Sequence, residues 1–194
     1  MLKKLPLLAG CFIAMLSAQR ITAQEYQSIP ISTGFNADVI ANGTGPANVS
    51  TTVAVDGSDY VFLANDFKAT SASSLPVTGL PASGFITSAV TATPGLTFQL
   101  ANLTGNNALR LDAVTTSGTL NFATPTAAKT LYMLATTGDG GATGATVTAV
   151  VTFSDNSTEN ISGKLVPDWF NSTDQPVAIS GFGRMGRTTH TVEN

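Results

Sequence analysis

Residues 146–153 read Thr-Val-Thr-Ala-Val-Val-Thr-Phe. A period of two places Val147, Ala149, Val151 and Phe153 on one face of a strand and Thr146, Thr148, Val150 and Thr152 on the other. The turn cluster Ser154-Asp155-Asn156-Ser157 follows, and Glu159 to Leu165 resumes the alternation through Ile161 and Leu165. Two alternating runs joined by turn-forming residues make a β-hairpin. No window of the chain carries apolar residues at helical spacing for more than about two turns. The expected fold class is therefore all-β.

The same grammar recurs. Thr51–Val55 and Tyr60–Ala64 flank Asp56-Gly57-Ser58-Asp59, which predicts a second hairpin. Thr97–Leu100 and Ala108–Leu111 flank Thr104-Gly105-Asn106-Asn107, which predicts a third. Leu120 and Phe122 alternate with Thr119 and Asn121, and Thr130–Ala135, apolar on both faces, reads as a covered central strand. The Ser- and Pro-rich stretch 69–83 has no periodicity and reads as a surface crossing. About ten short strands with turns every 8–12 residues indicate an antiparallel β-sandwich of jelly-roll type rather than a barrel.

The first 23 residues read as a secretory leader. Lys3 and Lys4 precede an apolar block from Leu5 to Ala18, and small residues lead to a cut between Ala23 and Gln24. A competing pattern, Leu8-Ala9-Gly10-Cys11, resembles the site where bacterial lipoproteins are cut and lipidated. It leaves too short a hydrophobic segment before Cys11 and an apolar one after it, so anchoring there is disfavoured. The organisation expected is a signal peptide over 1–23 and one β-sandwich domain over 24–194, in a secreted or cell-surface protein.

Cleavage removes three of the nine basic residues (Lys3, Lys4, Arg20) and none of the 12 acidic ones, leaving a net charge of −6 and no cysteine. An acidic chain is a poor partner for the nucleic-acid backbone. No apolar run is long enough to span a bilayer. With one Cys and one His in the whole sequence, disulfide frameworks, thiolate zinc sites and multi-histidine centres are ruled out.

The catalytic inventory is thin. His190 stands five residues from the end, and no Gly-x-Ser-x-Gly elbow occurs. Carboxylates for a glycoside hydrolase exist at Asp38, Asp56, Asp66, Asp112, Asp139, Asp155 and Asp168, but most lie beside Gly, Asn or Ser, where an Asp satisfies turn amides. Gly138-Asp139-Gly140-Gly141 lacks the Lys-Ser/Thr and the helix of a phosphate loop. Asp56 and Asp59, two carboxylates in one turn, are the place for a structural calcium ion; no other cofactor is expected. No enzymatic activity is expected.

One constellation late in the chain stands out: Val166-Pro167-Asp168-Trp169-Phe170, then Gly181-Phe182-Gly183-Arg184-Met185-Gly186-Arg187. Sugars are bound by stacking on an aromatic face and by planar hydrogen-bonding groups. Asp168, Trp169, Arg184 and Arg187 supply both. The alternative is structural: the only Trp plugs the end of the sandwich, and Arg184 pairs with Asp168 or Asp112.

These residues, together with Asn107–Leu111, Gly118–Phe122, Leu131–Thr136 and the Val147–Asp155 hairpin, resemble a known type of domain. It is the galactose-binding-like β-sandwich module of large exported proteins in Bacteroidetes-type bacteria, found upstream of a C-terminal sorting domain. The resemblance spans roughly residues 24–188. It implies a non-catalytic module acting in glycan or cell-surface polysaccharide binding, adhesion or domain spacing. Such modules continue with further strands and the sorting domain. By that comparison either the reading frame is cut short at Asn194, or the sandwich is completed within the residues shown.

Overall fold

The computed structural model describes residues 25–141, 144–170 and 177–193. The leader expected over 1–23 and the lipoprotein pattern at Cys11 lie outside the described residues. The fold is all-β, as the alternation requires. Its strands are β1 (Ile31–Thr33), β2 (Ile40–Ala41), β3 (Tyr60–Leu63), β4 (Phe85–Thr87), β5 (Thr97–Gln99), β6 (Asn121–Phe122), β7 (Ala145–Thr152), β8 (Thr158–Val166), β9 (Arg184–Gly186) and β10 (Val192–Glu193). A single helical turn, α1 (Ala47–Ser50), stands between β2 and β3. Pro46 sets its start with extended backbone, and Thr51 ends it by returning its hydroxyl to the Ala47 carbonyl at 2.6 Å. Among the described residues no helix is long and apolar enough to cross a membrane.

The strands form four small sheets, none of them closed on itself. The largest runs β10-β9-β3-β2; the others are the pairs β1-β6, β4-β5 and β7-β8. β3 is its hub, antiparallel to β9 and parallel to β2. The period of two divides its side chains. Val61 and Leu63 are fully buried with Ala41, Ala47, Phe67 and Met185 on one face. Tyr60 and Phe62 point to the other, where Phe62 and Phe182 pack against a second core of Ala37, Val39, Ile40, Leu80, Ile86 and Leu103. Burying such side chains contributes roughly 1.5–3 kcal/mol each and is the principal force holding a domain without crosslinks.

The β7–β8 hairpin forms as the alternation predicts. Asn156 takes the left-handed conformation (φ 64°) that closes the turn, and Phe153 N donates to Ser157 O at 2.9 Å. The second expected hairpin forms on one side only. β3 keeps its strand, but 51–55 meets it through a single bond, Val55 N to Tyr60 O at 2.8 Å, because β2 and β9 already occupy both edges of β3.

The third hairpin does not form. β5 pairs with β4, Ile86 facing Phe98, while Ala108 bridges to Ala37. Asn107 explains the second choice: its side-chain oxygen accepts the Val39 amide at 3.1 Å, and its amide donates to buried Asp38 at 2.6 Å. Alternation fixes which face a side chain takes, not which strand it pairs with. Thr130–Ala135 forms no strand either. Met133 is 60% exposed there, and no ladder partner lies alongside among the described residues.

Candidate functional site

Pro167 cannot donate to a ladder, so β8 ends there and the chain turns. Thr137 holds the turn, donating to Pro167 O and accepting from Trp169 N, both at 2.9 Å. Asp168, 5% exposed, accepts from Phe170 N at 2.9 Å and from Gly140 N at 3.0 Å. Anchored this way, Trp169 and Phe170 lie over the Tyr60/Phe62 face of the main sheet. Trp169 is half-buried, edge-to-face with Phe62 at 4.7 Å and tilted against Phe170 at 6.3 Å. Phe182 adds a further contact to Phe62 at 5.6 Å.

Arg184 lies within this cluster. It is the cross-strand neighbour of Phe62 on β9. Its guanidinium is 3.8 Å from the Tyr60 ring centre and 3.7 Å from that of Phe170, a cation held between two aromatic faces. It also donates through Nε (3.0 Å) and Nη2 (2.8 Å) to Glu193 Oε2 on β10. The Tyr60 hydroxyl donates to the other Glu193 oxygen at 2.5 Å. Those bonds, the tyrosine's first and the arginine's second, hold the Glu193 carboxyl below its usual range. The same contact raises the Tyr60 phenol, because its proton is needed for the bond. The partner of Arg184 is thus Glu193, not Asp168 or Asp112; Asp112 is paired with Arg110.

Arg187 is directed elsewhere. Its Nε donates to Thr51 Oγ1 (3.0 Å) and its Nη2 to the carbonyls of Thr51 (3.1 Å), Thr52 (3.3 Å) and Asn48 (3.4 Å). A cation at those carbonyls satisfies acceptors that the short α1 leaves unpaired. Of the four residues expected to act together, Asp168, Trp169 and Arg184 meet around Phe170, and Arg187 stands apart on α1. The sequence reading missed Tyr60, Phe62 and Glu193. Tyr60 and Phe62 carry a usable signal, two aromatics at i and i+2 on one strand face; Glu193 carries none.

Of the carboxylates expected to satisfy their own turns, Asp56 and Asp155 do so, while Asp139 reaches Gly57 N and Asp59 reaches Thr188. Asp56 Oδ1 accepts from Ser58 N and Tyr60 N, both at 3.0 Å. Asp59, at φ 68°, accepts from the amide and hydroxyl of Thr188, which hold its carboxyl below the usual range. Asp56 is thus turned to its own loop and Asp59 to the C-terminal segment. Among the described residues no three His, Cys, Asp or Glu side chains gather where they can hold a metal ion. His190 occupies a left-handed turn (φ 57°), its amide bonded to Gly186 O. An open cleft of about 260 Å³ elsewhere is lined by Asn42, Asp66, Gln99 and Asn102 and includes no residue of the aromatic cluster.

No family model matches the sequence, and neither a curated protein nor a solved structure matches the chain.

Proposed function

We propose that this chain is a non-catalytic β module of an exported protein, acting as a structural spacer or surface-assembly domain, in which the Trp169–Arg184 cluster is an internal clasp. The observation that carries this reading is that Arg184 and Asp168 are already engaged by other groups of the protein. Arg184 lies between two rings and is paired with Glu193, and Asp168 accepts from two backbone amides; Arg187, outside the cluster, donates to the Thr51 and Thr52 carbonyls. The clasp ties β3 to the end of β8 and to β9 and β10, all far from β3 in sequence.

The finer fold belongs to this reading: a galactose-binding-like β-sandwich of the secreted Bacteroidetes-type. Export by the leader over 1–23 is part of it. Absence of catalysis is supported by the engagement of turn carboxylates with backbone amides and by the lone His190 in a tight turn. A second reading, glycan or polysaccharide contact, is favoured by one observation: Phe170 is 42% exposed beside half-buried Trp169, leaving an aromatic edge at the surface.

A glycan array probed with the wild-type chain and with Trp169→Ala separates the two. The clasp reading expects no retention by either protein and a loss of stability in the variant. Specific retention that Trp169→Ala abolishes while the fold survives would establish glycan binding instead.

A further inference from the structure

We propose that the free edge of β7 is a self-pairing surface, on which β7 of a second copy of this chain adds antiparallel to make a continuous four-stranded sheet. This is independent of the role of the aromatic cluster. Phe153 N is bonded to Ser157 O, so the odd-numbered residues of β7 face β8 and the amides and carbonyls of Thr148, Val150 and Thr152 face outward. Among the described residues no strand but β8 pairs with β7. A row of unpaired backbone groups is a template for another strand.

Proteins blunt such edges with charge, Pro or bulges. β8 is blunted: it carries Glu159 and Lys164, and its register slips beside Gly163 at φ 63°. β7 has no charged residue, no Pro and no Gly across its eight residues. On an acidic chain this neutral edge is where two copies approach without opposing like charges.

The occupant is argued from the strand's own order. Thr146-Val147-Thr148-Ala149-Val150-Val151-Thr152 is nearly palindromic about Ala149. A twofold axis there sets Thr146 opposite Thr152, Val147 opposite Val151 and Ala149 opposite itself. The Thr–Thr and Val–Val pairs are favourable, the central Ala pair is neutral and Thr148 meets Val150, while the half-buried Val147/Ala149/Val151 faces stay on one side of the joined sheet. The same parity directs the outward groups of the even-numbered residues at each other. Seven residues give a contact only ~24 Å long. That strip is well below the roughly 1,200 Å² of a stable interface, so the pairing is weak and depends on concentration.

Sedimentation of the full chain from about 10 μM to about 1 mM tests this, a range that brackets weak association. The weight-average mass should rise from monomer toward dimer, and Val150→Lys should hold it at monomer throughout. In a Cys11→Ser background, Ala149→Cys should form disulfide-linked dimers on oxidation, and Ser162→Cys on β8 should not, because only the pair on the axis brings its Cβ atoms within reach. A monomer at every concentration, association unchanged by Val150→Lys, or equal crosslinking at positions 149 and 162 would each overturn the proposal. If Val150→Lys fails to fold by circular dichroism, the crosslinking comparison decides.

Discussion

Replacing Arg184 with Ala removes three contacts at once, and their sizes can be worked from the geometry. The guanidinium lies against two rings at 3.8 and 3.7 Å with its side chain 18% exposed. A cation–π contact is worth roughly 0.5–1 kcal/mol at an exposed site and about 2 when desolvated, so two half-buried ones contribute ~1.5–2.5 kcal/mol. The ion pair to Glu193, whose side chain is 40% exposed, adds no more than about 1 kcal/mol. Arg184→Ala should therefore lower the unfolding free energy by about 2–3 kcal/mol. For a chain of this size that is a fall of ~5–10 °C in melting temperature. Arg184→Lys keeps the charge but loses the flat double stack and should recover less than half of the loss. Urea denaturation followed by circular dichroism measures both, with an unchanged slope showing that stability alone was altered. Arg184→Ala within about 0.5 kcal/mol of wild type, the spread of ordinary surface substitutions, would refute the clasp.

Acid should release the same region. Glu193 and Asp59 both have carboxyls lowered by partners on β3 or the C-terminal segment, so their contribution is complete above the ordinary carboxylate range and disappears as pH falls through the lowered values. Glu193→Gln should flatten that acid limb in a pH series of melting curves. Asp38 has the opposite sign. Burial raises its carboxyl despite the Asn107 and Ile40 bonds, so its cost grows as pH rises through the raised value. Asp38→Asn should be more stable than wild type at neutral pH and lose that advantage in acid, read from the same series. Gly34 lies at φ 118°, and a Cβ there would overlap the Thr119 carbonyl. Gly34→Ala should cost about 2–3 kcal/mol by urea denaturation, from backbone strain and the clash together.

What the sequence revealed was local. The β7–β8 hairpin was legible because its alternation, its turn residues and the left-handed Asn156 all lie within the single stretch Ala145–Val166. The hub of the main sheet was not, because β3 takes partners about 20 and more than 120 positions away, and nothing in a four-residue run names them. The same limit misassigned Ala108, whose place is set by the Asn107–Asp38 contact across 69 residues. At the candidate site, Asp168 and Trp169 were adjacent and their turn chemistry readable. The role of Arg184 depended on Glu193, a residue with no motif around it, which only the β9–β10 pairing brings within reach. Of the residues expected to bind a sugar, Arg184 is bonded to Glu193, Asp168 to two backbone amides and Arg187 to Thr51, partners that no local motif announces.

Trp169 is the chain's only indole, so its fluorescence reports on the cluster without interference. Acrylamide quenching, measured with and without a panel of soluble polysaccharides, tests the closed clasp directly. The account predicts quenching between that of a buried and a free indole, unchanged by any polysaccharide and reaching the free value only when the chain unfolds. Ready quenching in the native protein that a polysaccharide saturably protects against would contradict it.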